Sequence, residues 1–249
     1  MRFVNAQIKF VIDPYGMPEE HLAADEALLD LTEQEGEGAY LRIWECDTYF
    51  VVLGHGKRLA EEIDEEACQR DGVRVLRRTS GGGSVLQGPG CLSYTLVFAL
   101  GEQPQLDTSA GTNDWIMARN RELLETVSGL RVVRDGCTDL AVGTRKFSGN
   151  AQRRKRRSVL FHGTILHAME LERIGRYLRE PRQRPVYRGE RVHLEFVTNL
   201  EMDSNALRDT LIKGWSSGDP VRIDRVLEPG EIERLVENRY SQAAWNHKF

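Results

Sequence analysis

Cysteine is scarce and scattered. Cys46, Cys68, Cys91 and Cys137 form no CxxC pair, which excludes a disulfide framework and a structural zinc site and leaves only the chemistry of single thiols. His167, His193 and His247 have no metal-ligand spacing either. No apolar run approaches the roughly 20 residues that span a bilayer. Met1-Arg2-Phe3-Val4-Asn5 lacks the apolar core of a signal peptide, so a membrane role is excluded and the cytoplasm is the expected location. Net charge is nearly absent too: 34 Lys and Arg against 38 Asp and Glu leave −4, which removes nucleic-acid binding by overall charge. There is no internal repeat, low-complexity tract or long linker. What remains, 249 residues with 40% hydrophobic and 29% charged, is an ordinary globular chain long enough for one dominant domain.

Strand and helix patterns alternate irregularly. Phe3 to Ile12 reads as a strand closed by the turn Asp13-Pro14-Tyr15-Gly16. Leu22, Ala23, Ala27, Leu28 and Leu31 recur at helical spacing between Pro18 and Glu35. Tyr40 to Trp44 and Tyr49 to Leu53 read as a paired hairpin, and Leu59 to Arg70 as a second helix. Gly72 to Leu76 is a short buried strand and Cys91 to Phe98 an alternating one. A helix from Asp114 to about Ser128 follows a polar connector from Gly101 to Thr112. Short strands at 131–134, 140–142 and 159–166 come next, then helices at 171–178, 207–215 and 229–240, with 180–191 an exposed loop. Without strict βαβ alternation, the class is α+β, mainly antiparallel mixed sheets packed against helices.

Chemistry concentrates in two stretches. The first is Arg77-Arg78-Thr79-Ser80-Gly81-Gly82-Gly83-Ser84-Val85. Three glycines flanked by hydroxyls and preceded by two arginines let the backbone approach an anion, although a triple glycine also serves as a plain turn or hinge. In the second, Lys146 precedes Ser148-Gly149-Asn150, read as a turn. Its ammonium is placed there to act as a point charge on a phosphate or carboxylate, unless it is only a surface lysine. His162-Gly163-Thr164 adds another backbone approach and a hydroxyl.

In order and spacing, the Arg77–Val85 loop, Asp139-Leu140, Lys146-Phe147-Ser148-Gly149-Asn150-Ala151 and His162-Gly163-Thr164 resemble the lipoate-protein ligases, relatives of biotin-protein ligases and lipoyl/octanoyl transferases. The closing Tyr240-Ser241-x-x-x-Trp245-Asn246 is similar to the end of that catalytic domain. The resemblance runs from about Asp25 to Asn199. It implies a biotin/lipoate-ligase-like catalytic domain spanning 1–249, with its core at about 25–200, a helical part at 201–249 and no accessory C-terminal domain. It also implies an activity: lipoic acid and ATP give lipoyl-adenylate, and the acyl group passes to a lysine of a small acidic acceptor domain. On that reading Arg77, Arg78, Ser80, Gly81, Gly82, Gly83 and Val85 wrap the adenylate. Lys146 sits on the acyl oxygen and phosphate, and Asp139 stands beside Mg2+. Ser148, Gly149, Asn150, Ala151, His162, Gly163 and Thr164 complete the pocket.

Two departures keep alternatives open. Gln87-Gly88 stands where many ligases of the family have His-Asp, so that pair's role does not carry over. The expected lack of an accessory domain implies either a separate accessory chain, a single-domain branch, or a transferase that moves octanoyl or lipoyl groups through a cysteine, for which Cys137 lies near Asp139 and Lys146. Cys91 reads as a small buried hydrophobe. Trp44 and Tyr49 to Leu53 suit an acyl tunnel or ordinary core, and His55 a ligand contact or a turn. The run Arg153-Arg154-Lys155-Arg156-Arg157 reads as a steering patch for the acidic acceptor, as a solvated loop, or, without interleaved aromatics, last as a nucleic-acid patch.

Overall fold

The computed structural model describes residues 7–12, 14–101, 103–182, 184–216, 220–224 and 226–249. Residues 3–6 of the expected first strand and Asp13 of the turn after it lie outside them. Eleven strands form two sheets among the described residues. They are β1 (Lys9–Val11), β2 (Ala39–Trp44), β3 (Phe50–Leu53), β4 (Arg74–Arg77), β5 (Val85–Gln87), β6 (Cys91–Ala99), β7 (Val132–Asp135), β8 (Asp139–Val142), β9 (Arg145–Arg154), β10 (Ser158–Leu166) and β11 (Val221–Ile223). The large sheet runs β11-β1-β2-β6-β10-β9-β8-β7, antiparallel except where β1 meets β11 and β2. The small one is β4-β3-β5.

All nine residues of β6 are buried, because both faces of the large sheet are covered. Leu92, Tyr94, Leu96 and Phe98 pack on helices Ser109–Ser128 and Ser204–Trp215. Val97 packs with helix Pro18–Glu35 on the other face. That helix starts with Pro18 at its first position, Glu20 accepting from the amides of Gly16 (3.2 Å) and Met17 (2.9 Å). Ala23, Ala24 and Ala27 let it lie close to the sheet. A third cluster joins the small sheet to helices Glu65–Asp71 and Glu172–Tyr177.

Several expectations are corrected. β2 and β3 do not pair: they belong to different sheets, and Glu45 between them accepts from Gly90 N (2.7 Å) and contacts His167 (3.1 Å), which carries the chain across instead of back. The expected helix from Leu59 to Arg70 breaks at Ile63, and Asp64 caps a new helix by accepting from Ala67 N at 2.9 Å. The helix expected at Asp114 begins at Ser109, capped by Thr108. Val85–Gln87, read as loop, is a strand. Ser148-Gly149-Asn150 is not a turn but the middle of β9, paired residue for residue with β10.

Candidate active site

Pairing register carries the site. Trp44, Ser93, Thr164 and Gly149 form one row across β2, β6, β10 and β9, and Arg42, Thr95, His162 and Ala151 form another. The two rows are two residues apart along each strand, so they share a face. A cavity of about 250 Å3 lies over them, roofed by Leu22 and Asp25 of the first helix and by Gly82, Gly83, Ser84 and Val85. The polar positions of β6, Ser93 and Thr95, thus face a cavity rather than water. A larger compartment of about 520 Å3 adjoins it, and the two share Gly82, Gly83, Ser84, Val85, Asp139, Lys146, Gly149 and Thr164.

Lys146 stands at the junction. Its Nζ lies 2.7 Å from Asp139 Oδ1, and Tyr187 OH donates to Asp139 Oδ2 at 2.7 Å. A bulge between β8 and β9 pairs Asp139 with Gly149 and Ala141 with Lys146. The lysine side chain then folds back over Gly149, where a Cβ would come within 2.7 Å of Nζ. Gly163 is required for a similar reason: a Cβ there would meet Asn150 Oδ1 at 1.6 Å. Through that gap Asn150 accepts from Tyr94 OH (2.5 Å) and donates to Thr138 O (2.7 Å), which fixes the chain leading to Asp139.

Behind the glycine loop runs a buried polar chain. Arg42 Nη1 donates to Asp25 Oδ1 at 2.7 Å, Thr95 Oγ1 to the same oxygen at 2.8 Å, and His162 Nδ1 lies 3.0 Å from Asp25 Oδ2. His162 Nε2 is 2.6 Å from Ser80 Oγ, which accepts from Arg78 Nε at 2.9 Å. Arg78 Nη2 in turn donates to the carbonyls of Gly81 and Gly83, each at 2.7 Å. Burial pulls the Arg78 guanidinium down to about 10. For Asp25 burial is the largest influence and pushes upward, yet the His162 hydrogen bond and the Arg42 charge together hold it below its ordinary 3.8.

Arg78, Gly82, Gly83, Val85, Asp139, Lys146, Gly149, Asn150, Ala151, His162, Gly163 and Thr164 therefore line the inner compartment, and Ser148 the outer. Ser80 and Gly81 line neither; they anchor the loop from behind. Arg77 turns away altogether. Fully buried, it donates to the carbonyls of Gly54 (3.1 Å), His55 (3.2 Å), Lys57 (2.7 Å), Trp245 (3.2 Å) and Asn246 (3.0 Å), tying the C-terminal segment beneath the loop. His55 packs on Trp245 there, ring centroids 5.6 Å apart. Sequence reasoning missed Asp25, although a carboxylate on the apolar stripe of a helix was the available signal. It also missed Tyr187 and Arg188, which lie in what read as an exposed loop, and His193 just after it.

Magnesium fits Asp139 poorly. Both carboxylate oxygens are engaged by Lys146 and Tyr187, and no group of three potential metal-ligating side chains occurs among the described residues. Cys137 is exposed, takes a 3.5 Å contact from Asn113 Nδ2 and lines neither compartment. Burial pushes the Cys91 thiol up to about 12, in keeping with a buried apolar role. The basic run is largely engaged within the chain: Lys155 pairs with Asp30, Arg157 donates to the carbonyls of Glu33 (3.1 Å) and Gln34 (2.5 Å), and Arg154 donates to Asp107 O (3.1 Å). Among the described residues no helix is long and apolar enough to cross a membrane.

Two adjoining compartments thus meet at one lysine. The lipoyl protein ligase A/B catalytic domain family matches residues 17–212, and the chain belongs to that family. It is 26% identical to octanoyltransferase LipM of Geobacillus kaustophilus, over 96% of this chain and 98% of that protein. Lipoate-protein ligase A subunit 1 of Thermoplasma acidophilum is 25% identical over 90% of each. The fold is that of lipoate ligases. A lipoate-protein ligase A bound with ATP superposes with a TM-score of 0.79 at 21% identity, over 97% of this chain and 98% of that one. The bipartite lipoate protein ligase of Thermoplasma acidophilum gives 0.77 at 20%, over 98% and 97%.

Proposed function

We propose that the protein is a lipoate-protein ligase: it joins lipoic acid to the α-phosphate of ATP, releasing pyrophosphate, and passes the lipoyl group to a lysine of an acceptor protein, releasing AMP. One observation carries the reading: Lys146 lies at the junction of two adjoining compartments. The inner one runs from Gly149 to Trp44 across three strand spacings, about 14 Å, and is lined by Leu22, Trp44, Val52 and Tyr94, which suits an eight-carbon acyl chain with its carboxylate at Lys146. The outer one combines Lys57, paired with Glu62 at 2.9 Å, Arg188, paired with Glu180 at 2.5 Å, and Arg179 with an apolar wall of Leu166, Ile174, Leu178 and Phe196, a lining that suits a purine and, once phosphates displace the carboxylates, their charge.

In this arrangement the ammonium of Lys146 offsets the repulsion between carboxylate and α-phosphate as the new C–O–P linkage forms. It then stabilises the oxyanion when the acceptor amine attacks the acyl carbon. Gly82 and Gly83 bring backbone against the mixed anhydride, and Arg78 and Ser80 hold that backbone in place. Both relatives with a Thermoplasma acidophilum source, one named as subunit 1 and one as bipartite with its E2 lipoyl domain, support a second, accessory chain and a lipoyl-domain acceptor here.

The transferase reading draws on the likeness to LipM. Against it, none of the described cysteines lines either compartment, and Lys146, the residue expected to activate Cys137, is paired with Asp139. Incubation with Mg2+, ATP and lipoate, octanoate or biotin in turn, read by mass spectrometry, is expected to give lipoyl-adenylate. ATP-independent transfer from an octanoyl carrier protein, lost in Cys137→Ala, would replace this reading with the transferase.

A further inference from the structure

The segment from Glu180 to Arg191 reads in sequence as an exposed, arginine-rich loop, yet it is stapled to the site at three points. Tyr187 OH donates to Asp139 Oδ2 at 2.7 Å. Arg191 reaches from Tyr187 O (2.5 Å) to Thr144 O (2.8 Å), which ties the segment to the turn that delivers Lys146. The Tyr187 ring is held against Phe196, centroids 5.2 Å apart, with Phe196 4% exposed. Past Phe196 the chain is fixed to the lysine itself: Thr198 N donates to Lys146 O at 2.9 Å.

From this geometry we infer that Tyr187 is a positioning residue for the reacting lysine, acting through Asp139. A carboxylate on a short side chain can rotate, and a lysine bound to one of its oxygens moves with it. Donation by Tyr187 fixes Oδ2, which leaves Oδ1 in one place, and Oδ1 is the atom that holds Lys146 Nζ over Gly149. The hydroxyl also takes the oxygen that a second orientation of the ammonium would use. Burial is the largest influence on the Tyr187 phenol and the Asp139 charge the next; both push its titration upward, so the donor keeps its proton. A segment that looks dispensable thus sets where the charge of Lys146 stands relative to the two compartments, a role whose kinetic consequence rests on the ligase reading.

Tyr187→Phe removes the hydroxyl and keeps the ring against Phe196. For adenylate formation kcat is expected to fall about tenfold, with KM for lipoate and ATP within about twofold of wild type and an unchanged melting temperature. Combined with Asp139→Asn, it adds no further loss, because both substitutions break one chain of contacts. A measurement that needs no turnover separates this inference from the function itself: acetylation of Lys146 by acetic anhydride, followed by mass spectrometry. It is expected to be several-fold faster in Tyr187→Phe and in Asp139→Asn than in wild type. Failure of the wild type to form any acyl-adenylate sinks the ligase reading, and the acetylation rates still decide the role of Tyr187. Equal acetylation in Tyr187→Phe and wild type, or losses that multiply in the double variant, overturns the inference.

Discussion

The inner and outer compartments share a wall but are built on opposite plans. In the inner one nearly every polar group already has a partner within the protein: Asp25 is taken by Arg42, Thr95 and His162, and Asn150 by Tyr94 and Thr138. Its supports are rigid sheet rows and one close-packed helix. The outer wall draws on β5, β9, β10 and short helical turns from Ile174 to Phe196, with exposed Arg179 and buried Arg188 over an apolar floor. On the proposed ligase reading the inner compartment takes the acyl chain and the outer one the nucleotide. The lysine belongs to both, since its backbone is in β9 and its carboxylate partner is held by Tyr187.

The sharpest way to break this contrast is to remove the group at the boundary. Lys146→Ala is expected to lower both half-reactions about 100- to 1,000-fold while the protein stays folded by circular dichroism; near-wild-type activity would remove Lys146 from the mechanism. Next is the rigidity of the inner slot. Asp25→Asn removes the negative charge beside the fully buried Arg42 and is expected to cost about 3 kcal/mol in chemical denaturation at pH 7. The sign with pH follows from Asp25 being held below 3.8 in the folded state. Its stabilisation is complete above the unfolded value and is lost as pH falls through the folded one. The gap between wild type and Asp25→Asn should therefore be constant at neutral pH and close below about pH 4. A gap that persists at pH 2 would show that Asp25 acts by packing alone.

The two halves of the site were unequally legible in the sequence, for the same reason that they differ in build. That the glycine loop and the Lys146–Ala151 stretch stand at one cavity was legible, since glycines beside hydroxyls and a lysine before a small-residue run are local patterns, but the turn read at Ser148-Gly149-Asn150 is the middle of β9. Arg77 was misassigned because two adjacent arginines look alike in sequence, and only the alternation of β4 sends one under the loop and the other toward the backbone of Gly83. Gly149 and Gly163 read as turn or approach residues, but their need for glycine comes from side chains of Lys146 and Asn150 folding across them, a tertiary fact. Asp25 is 137 positions from its partner His162, and Tyr187 is 48 from Asp139, distances over which no local pattern speaks. Trp44 and Val52 both line the inner slot and belong to the core cluster under the first helix, so the two readings the sequence left open describe one pair of side chains.

A smaller effect tests what the slot measures. At its far end Trp44 Nε1 and Gln87 Oε1 are buried and find no hydrogen-bond partner among the described residues, while Gln87 Nε2 donates weakly to Ser93 at 3.3 Å. A donor and an acceptor left open beside the chain's tail favour a polarisable end such as a dithiolane over a plain methyl. Gln87→Leu is expected to shift the kcat/KM ratio for lipoate over octanoate downward by about three- to tenfold; an unchanged ratio would show that the slot reads length only.

The smallest effect expected is at the basic turn, farthest from both compartments along β9. Lys155 pairs with Asp30, and Arg157 satisfies carbonyls at the end of the first helix, where a cation also complements the helix dipole. These side chains secure the slot's roof helix to the β9–β10 hairpin instead of reaching outward. Replacing both with glutamine should lower the melting temperature by about 2 °C and leave the KM for an acceptor lipoyl domain unchanged, the reverse of what a steering patch would give. A KM that rises at low salt and converges with wild type at high salt would restore the steering role, because screening removes long-range attraction but leaves a hairpin's internal contacts largely intact.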